Sequence, residues 1–144
     1  MILLDANILL YVYNTGSPHF EEAHNWFTAA MERKEEIGLS WPVIHAFLRI
    51  VTSPTAYPSP YSSQEAAEII DALLSYSNIT LIQPTATHWT TLRRSLIELQ
   101  VTHRLVMDAD LAALAIEHGA SLCTNDRDFS RFPGLKIVNP ISRQ

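Results

Sequence analysis

The residues whose types and placement could do chemistry are four aspartates: Asp5 in "LLDANILL", Asp108 at the head of "DADLAALA", and Asp126 and Asp128 in "LCTNDRDF". Carboxylates brought together repel one another, and without compensation some protonate or the group is forced apart. A hard divalent cation such as Mg²⁺ or Mn²⁺ supplies that compensation, because it takes oxygen ligands and keeps several waters for chemistry. It makes a bound water a better nucleophile and stabilises charge on a phosphoryl group during in-line displacement. Asn7 and Asn125 add neutral amides beside these acids, able to hold a carboxylate or a phosphate. Arg49, Arg104, Arg127 and Arg131 are candidate phosphate contacts at the rim, or solvated surface arginines.

Each acid also has a plainer role open to it. Asp5 can cap a helix over 7–13, Asp108 can be a first-turn acid favoured by the helix dipole, and Asp128 can cap a short helix at Phe129. Asn125 and Asp126 can be ordinary turn residues, and Asp110 reads as a solvated helix position. What joins the first set is position relative to the expected strands. "ILL" (2–4), "IGLS" (37–40), "ITLIQ" (79–83), "SLCT" (121–124) and "KIVN" (136–139) read as short buried strands. Helical patterns lie between them, so the strands pair in parallel within an α/β sandwich. In such a sheet ligands bind outside the carboxyl ends of the strands, near a topological switch point. Asp5 and Asp126 follow strands directly, and Asp108 reaches the same edge from its helix. Three separate segments thus deliver acids to one edge.

The helices carry their own signals. Ser17 is placed as an N-cap with Pro18 at N1, ahead of Phe20, Ala23, Phe27 and Ala30 at helical spacing. Ser62 and Glu65 have capping-box spacing before "AAEIIDALL", and Trp89, Leu92, Leu96 and Leu99 form a further apolar stripe. The helix over 108–119 ends at Gly119, and its alanines allow close packing on a sheet. The segment 52–63, "TSPTAYPSPYSS", reads as an exposed connection, with Tyr57 and Tyr61 as an alternative stacking or docking surface.

With 144 residues the chain is long enough for one domain with a sizeable core. One cysteine, Cys123, excludes an intramolecular disulfide framework, fits a reducing cytosol, and reads as inert core within its strand. The sequence shows neither a signal-peptide pattern nor an apolar run near the roughly 20 residues a membrane span needs. A net charge of -5 argues against a broad electrostatic nucleic-acid surface, but is compatible with an acidic nuclease site or a partner with a basic tail. The histidines lack metal-ligand spacing, and neither a nucleophile elbow nor a Gly-rich phosphate loop is present.

Taken in order, "LLDANILLY", "DADLAALAIEHGASLCTNDRDF" and "FPGLKIVNP" resemble the motifs of PIN-domain proteins, and most closely VapC-type toxins of bacterial toxin–antitoxin pairs. The "W...FLRIVTSP" stretch (41–54) is similar to one subgroup of those toxins, so the likeness covers nearly all of the chain. The resemblance implies a single PIN-like domain over 1–144, a three-layer α/β/α sandwich with a central parallel sheet, and Mg²⁺- or Mn²⁺-dependent endoribonuclease activity. It implies a cytoplasmic protein with an RNA substrate, a cognate antitoxin that blocks the acidic pocket, and a homodimer. By the same likeness Asp5, Asp108 and Asp126 are catalytic metal ligands, with Asp128 as a further acid. One position departs from the family pattern: where a Glu is usual early in the helix after the second strand, Ala46 stands beside His45. That removes a ligand and leaves His45 to pack or to contact substrate. A catalytically weak module that keeps only the partner interface is therefore the alternative. A metal-independent RNase using paired histidines and a small-molecule phosphatase are more distant rivals, neither with a motif.

Overall fold

A computed structural model of the chain describes residues 1–142. Five three-residue strands, β1 (Ile2–Leu4), β2 (Ile37–Leu39), β3 (Ile79–Leu81), β4 (Ser121–Cys123) and β5 (Lys136–Val138), form one all-parallel sheet in the order β3-β2-β1-β4-β5. The chain builds outward from β1 through β2 to β3, then returns to lay β4 on the other side of β1. The switch point is therefore the gap between β1 and β4, where Leu4 pairs with Cys123. Successive side chains of a strand face opposite ways, so "ILL" feeds two cores. Leu4, Ile37, Leu39 and Cys123 pack under α1 (Ala6–Val12), α2 (Phe20–Glu32), α3 (Trp41–Val51) and α4 (Ser63–Ser75). Leu3, Leu122 and Ile82 pack with α5 (His88–Glu98) and α6 (Leu105–Glu117) on the opposite face. The result is the expected α/β/α arrangement.

The small residues of α6 behave as the sequence suggests: Ala109, Ala112, Ala113 and Ala115 are buried, which lets the helix lie close on the sheet. The Ser62 capping box forms at the head of α4, with Glu65 N–H donating to Ser62 Oγ and Ser62 N–H to Glu65 Oε1. Gly119, at φ +63°, ends the α6 segment in the left-handed region where glycine has no Cβ penalty.

Several expectations are corrected. The α2 helix starts at Phe20 with His19 at its N-cap, because Ser17 and Pro18 belong to a preceding turn in which Phe20 N–H donates to the Ser17 carbonyl. The α1 helix begins at Ala6, directly on Asp5, and α6 begins at Leu105, so Asp108 lies in its first turn rather than at its head. Trp89 is 62% exposed, while Leu92, Leu96 and Leu99 do pack inward. His88, and not Trp89, makes the inward contact at the start of α5. The 52–63 connection is less exposed than its composition implies: Tyr57 is buried, and the Tyr61 hydroxyl donates to the Tyr13 carbonyl at 3.0 Å. Tyr57 is committed to packing, while Tyr61 is anchored by this bond and stays half-exposed. Asp110 is not simply solvated, since His88 binds it at 2.7 Å and Glu117 at 2.9 Å.

Candidate metal centre

The strand register explains why acids from distant segments meet. Asp5 directly follows β1 and Thr124 directly follows β4, at the switch point between the two strands. The Asp5 backbone N–H donates to the Cys123 carbonyl, which fixes the two strand ends against each other. The Asp5 side chain caps α1 and is also held from across the switch point. Oδ1 caps α1 by accepting from Ala6 N–H at 2.7 Å, and Oδ2 accepts from Thr124 Oγ1 at 2.7 Å. Burial pushes the Asp5 carboxyl above its ordinary range, the charge of Asp126 adds to this, and the Thr124 and Ala6 hydrogen bonds oppose it.

Asp126 caps the 3₁₀ turn Arg127–Arg131, accepting from Asp128 N–H at 2.9 Å. That turn brings Asp128 back toward the first turn of α6. Carboxylate oxygens of Asp108, Asp126 and Asp128 consequently all lie within 4.8 Å of one another. Asp5 stands outside this closest set but near enough to be felt by it. The Asp108 carboxyl is pushed up to about 6 by burial first, then by the charges of Asp126, Asp5 and Asp128, with Arg104 opposing. Asp128 is partly neutralised: Arg104 Nη1 donates to it at 3.0 Å and Arg131 Nη2 at 3.4 Å. Two of the candidate rim arginines thus serve the acid cluster itself. The donor set is all oxygen and carries more negative charge than its neighbours balance, which fits a hard divalent cation.

Around the acids is a polar scaffold. Asn7 Nδ2 donates at 3.3 Å to both Asp5 Oδ2 and Thr124 Oγ1, and its Oδ1 accepts from Asn125 N–H. Asn125 spends its side chain elsewhere, donating to the Tyr11 hydroxyl and accepting from Asn139 Nδ2, so it ties the loop after β4 to α1 and to the end of β5. Two residues of the site carry little signal in the sequence. Thr124, buried, places one hydroxyl among three site groups: it donates to Asp5 and accepts from Asn7 and from Asp126 N–H at 3.0 Å. Its only sequence signal is adjacency to Asn125 and Asp126. Ser40, at the N-cap of α3, is buried with an Oγ that has no hydrogen-bond partner among the described residues.

Beside the acids lies a cavity of about 450 Å³ lined by Asp5 and Asp108 on one side and by His45, Ala46 and Arg49 on the other. Ala46 therefore faces the space in which the resemblance expects a carboxylate. Cys123 is buried in β4, and burial raises its thiol to about 12, which leaves it an inert core residue.

Comparisons with known proteins place the sequence and the fold in one family. The PIN domain family matches residues 2–135. Ribonuclease VapC37 of Mycobacterium tuberculosis (strain ATCC 25618 / H37Rv) is 36% identical over 140 residues, covering 97% of each chain. Ribonuclease VapC33 of the same strain is 34% identical over 141 residues, covering 98% of this chain and 99% of the relative. Among solved structures, VapBC2 from Rickettsia felis, bound to a promoter DNA fragment, superposes with a TM-score of 0.69 at 24% identity, covering 96% of this chain and 98% of that one. VapC20 of Mycobacterium tuberculosis, a Sarcin-Ricin loop cleaving toxin, superposes with a TM-score of 0.66 at 16% identity over 94% of this chain and 99% of that one. A five-stranded parallel sheet with acids at its switch point and a family match across almost the whole sequence lead to one conclusion: the chain belongs to the PIN domain family.

Proposed function

We infer that this protein is an endoribonuclease, the toxin of a toxin–antitoxin pair, that hydrolyses RNA phosphodiesters with Mg²⁺ or Mn²⁺ and is held inactive by a cognate antitoxin. The observation that carries the reading is the convergence of Asp108, Asp126 and Asp128 beside Asp5 at the β1/β4 switch point. Full-length relatives named ribonucleases support it. In this reading Asp5, Asp108, Asp126 and Asp128 hold the ion. When bound, such an ion supplies an activated water and stabilises the charge of an in-line displacement.

The chain's own residues prepare the rest. Thr124 and Asn7 aim the Asp5 carboxylate by donating to Oδ2, and the Thr124 bond opposes the upward push of burial. Arg104 and Arg131 fix Asp128 and offset charge that would repel a phosphate. Arg49, exposed at the cavity wall, orients the phosphate backbone. Single-stranded or looped RNA suits a shallow acidic crevice, because its bases can be splayed and its backbone approached. The products expected by family likeness carry a 5′-phosphate and a 3′-hydroxyl.

The antitoxin has a surface suited to it. A groove of about 630 Å³ lies along α2, beside the C-terminal ends of α1 and α4, and is lined by Tyr13, Phe20, Phe27, Met31, Tyr61 and Tyr76. We read it as the seat of an apolar antitoxin segment, with a homodimer as the further assembly. Among the described residues no helix is long and apolar enough to cross a membrane, and a cytoplasmic setting belongs to the same proposal. A second reading rests on Ala46, which contributes no ligand to the cavity: a module that binds its partner but turns over little or no RNA. Incubating purified protein with an RNA pool in Mg²⁺, Mn²⁺ or chelator, then determining the product ends, separates the two. Metal-dependent fragments with 5′-phosphates support the nuclease. Intact RNA together with undetectable Mn²⁺ binding supports the silent module.

A further inference from the structure

We propose that the 450 Å³ cavity beside the acids is a base-recognition pocket, which receives one unpaired nucleobase of the RNA next to the bond that is cut. The proposal rests on the ribonuclease reading above and adds to it a determinant of sequence preference. Three features point to a flat, mostly apolar ligand attached to a phosphate. The walls are apolar, formed by Val43, Ala46, Met107 and Leu111, and the volume falls in the range of small-ligand sites. Asp5 and Asp108 mark one end, so a ligand in the cavity lies next to the proposed hydrolytic centre. Arg49 is the one cation among the lining residues and makes no ion pair among the described residues, which leaves its guanidinium for a phosphate.

Exposed aromatic and polarisable surface adjoins the cavity. Trp41 is 45% exposed and Met107 56% exposed. Trp41 stands against His45, a lining residue, with ring centroids 5.8 Å apart at 35°. Stacking of bases on such side chains is favourable for any nucleotide and is the common way single-stranded RNA is held. Ala46 gives the pocket its room: a longer side chain at this position would occupy the space assigned to the base.

The test compares wild type with Ala46→Leu, which fills the pocket, and with Met107→Ala and Trp41→Ala, with Tm checked to confirm that each variant is folded. Cleavage positions on a random-sequence RNA pool are mapped, and KM and kcat are measured on the best-cut sequence. In parallel, tryptophan fluorescence is titrated with short single-stranded RNA in chelator. The expected result is a base preference flanking the cut in wild type. Ala46→Leu should flatten it and raise KM about tenfold or more while kcat changes little. Met107→Ala and Trp41→Ala should raise KM in the same direction, and the fluorescence response should vanish in Trp41→Phe. Wild-type cleavage with the same positions and KM in all variants would overturn the pocket and leave the nuclease standing. No cleavage by wild type with either metal would overturn the nuclease reading, and the pocket with it.

Discussion

Replacing Thr124 with Val removes one hydroxyl, keeps the side-chain shape, and disturbs three site groups at once. Thr124 is 1% exposed, so water cannot substitute for the lost oxygen. The donation to Asp5 Oδ2 at 2.7 Å goes to a carboxylate, and a hydrogen bond of that kind contributes about 2 kcal/mol. The bond from Asp126 N–H at 3.0 Å is neutral and contributes about 1 kcal/mol, while the Asn7 contact at 3.3 Å is longer and weaker. The sum is about 3 kcal/mol, which for a chain of this size is about 6–12 °C in Tm. Urea denaturation in chelator at neutral pH measures it, with Thr124→Ser as the variant that restores the hydroxyl. A second readout is metal affinity: without Thr124, Asp5 loses the strongest hydrogen bond opposing its raised pKa, and Mn²⁺ binding at neutral pH should weaken. Stability of Thr124→Val within about 0.5 kcal/mol of wild type would refute the role given to the hydroxyl, since an unpaired buried polar group costs more than that.

Two further outcomes follow from the charges. The Asp108 carboxyl, raised from 3.8 to about 6, favours the protonated form in the folded state, so apo wild type loses stability as pH rises between those values and does not regain it above them. In chelator Asp108→Asn should therefore be more stable than wild type at pH 7.5 and equal to it near pH 4; Mn²⁺ should raise the Tm of wild type more than that of the variant, read by thermal denaturation. At the far side of α6, burial lowers the pKa of His88, but its bonds to Asp110 and Glu117 outweigh this and raise it above 6.5. The stability it adds is complete below pH 6.5 and fades as pH climbs through the raised value. His88→Gln should cost about 1 kcal/mol near pH 6, because Glu117 loses its charged partner but keeps the bonds from Thr85 N–H and Oγ1, and the deficit should shrink by pH 9 in urea denaturation.

The legible parts of this protein are those governed by local rules. Short apolar strands separated by helical spacing announce a parallel sheet, and the strand-end rule places Asp5 and Asp126 at one edge from sequence alone. The start of α6 was not legible, because Arg104 makes no side-chain cap and the first-turn Leu105 and Val106 carry no boundary signal. The inward residue of α5 was missed because His88 is drawn to Asp110 and Glu117 across 22 and 29 positions of sequence. Thr124 was invisible for a related reason. In "LCTND" it reads as the end of a strand, and only the apposition of β1 and β4 sets its hydroxyl against Asp5. Asp128 was seen as an additional acid, but its place in the tightest carboxylate set depends on a 3₁₀ turn whose cap is Asp126 itself.

The most direct test of the central claim is RNA cleavage by wild type and Asp126→Asn in parallel over a range of Mn²⁺ concentrations, with equal Tm confirming that both are folded. Asp126 is the residue to change because it touches Asp128 by hydrogen bond and raises both Asp5 and Asp108 by charge. The account predicts cleavage that rises with Mn²⁺ in wild type, stops in chelator, and is absent from Asp126→Asn at every concentration. Cleavage by Asp126→Asn at the wild-type rate, or by wild type in excess chelator, would contradict it.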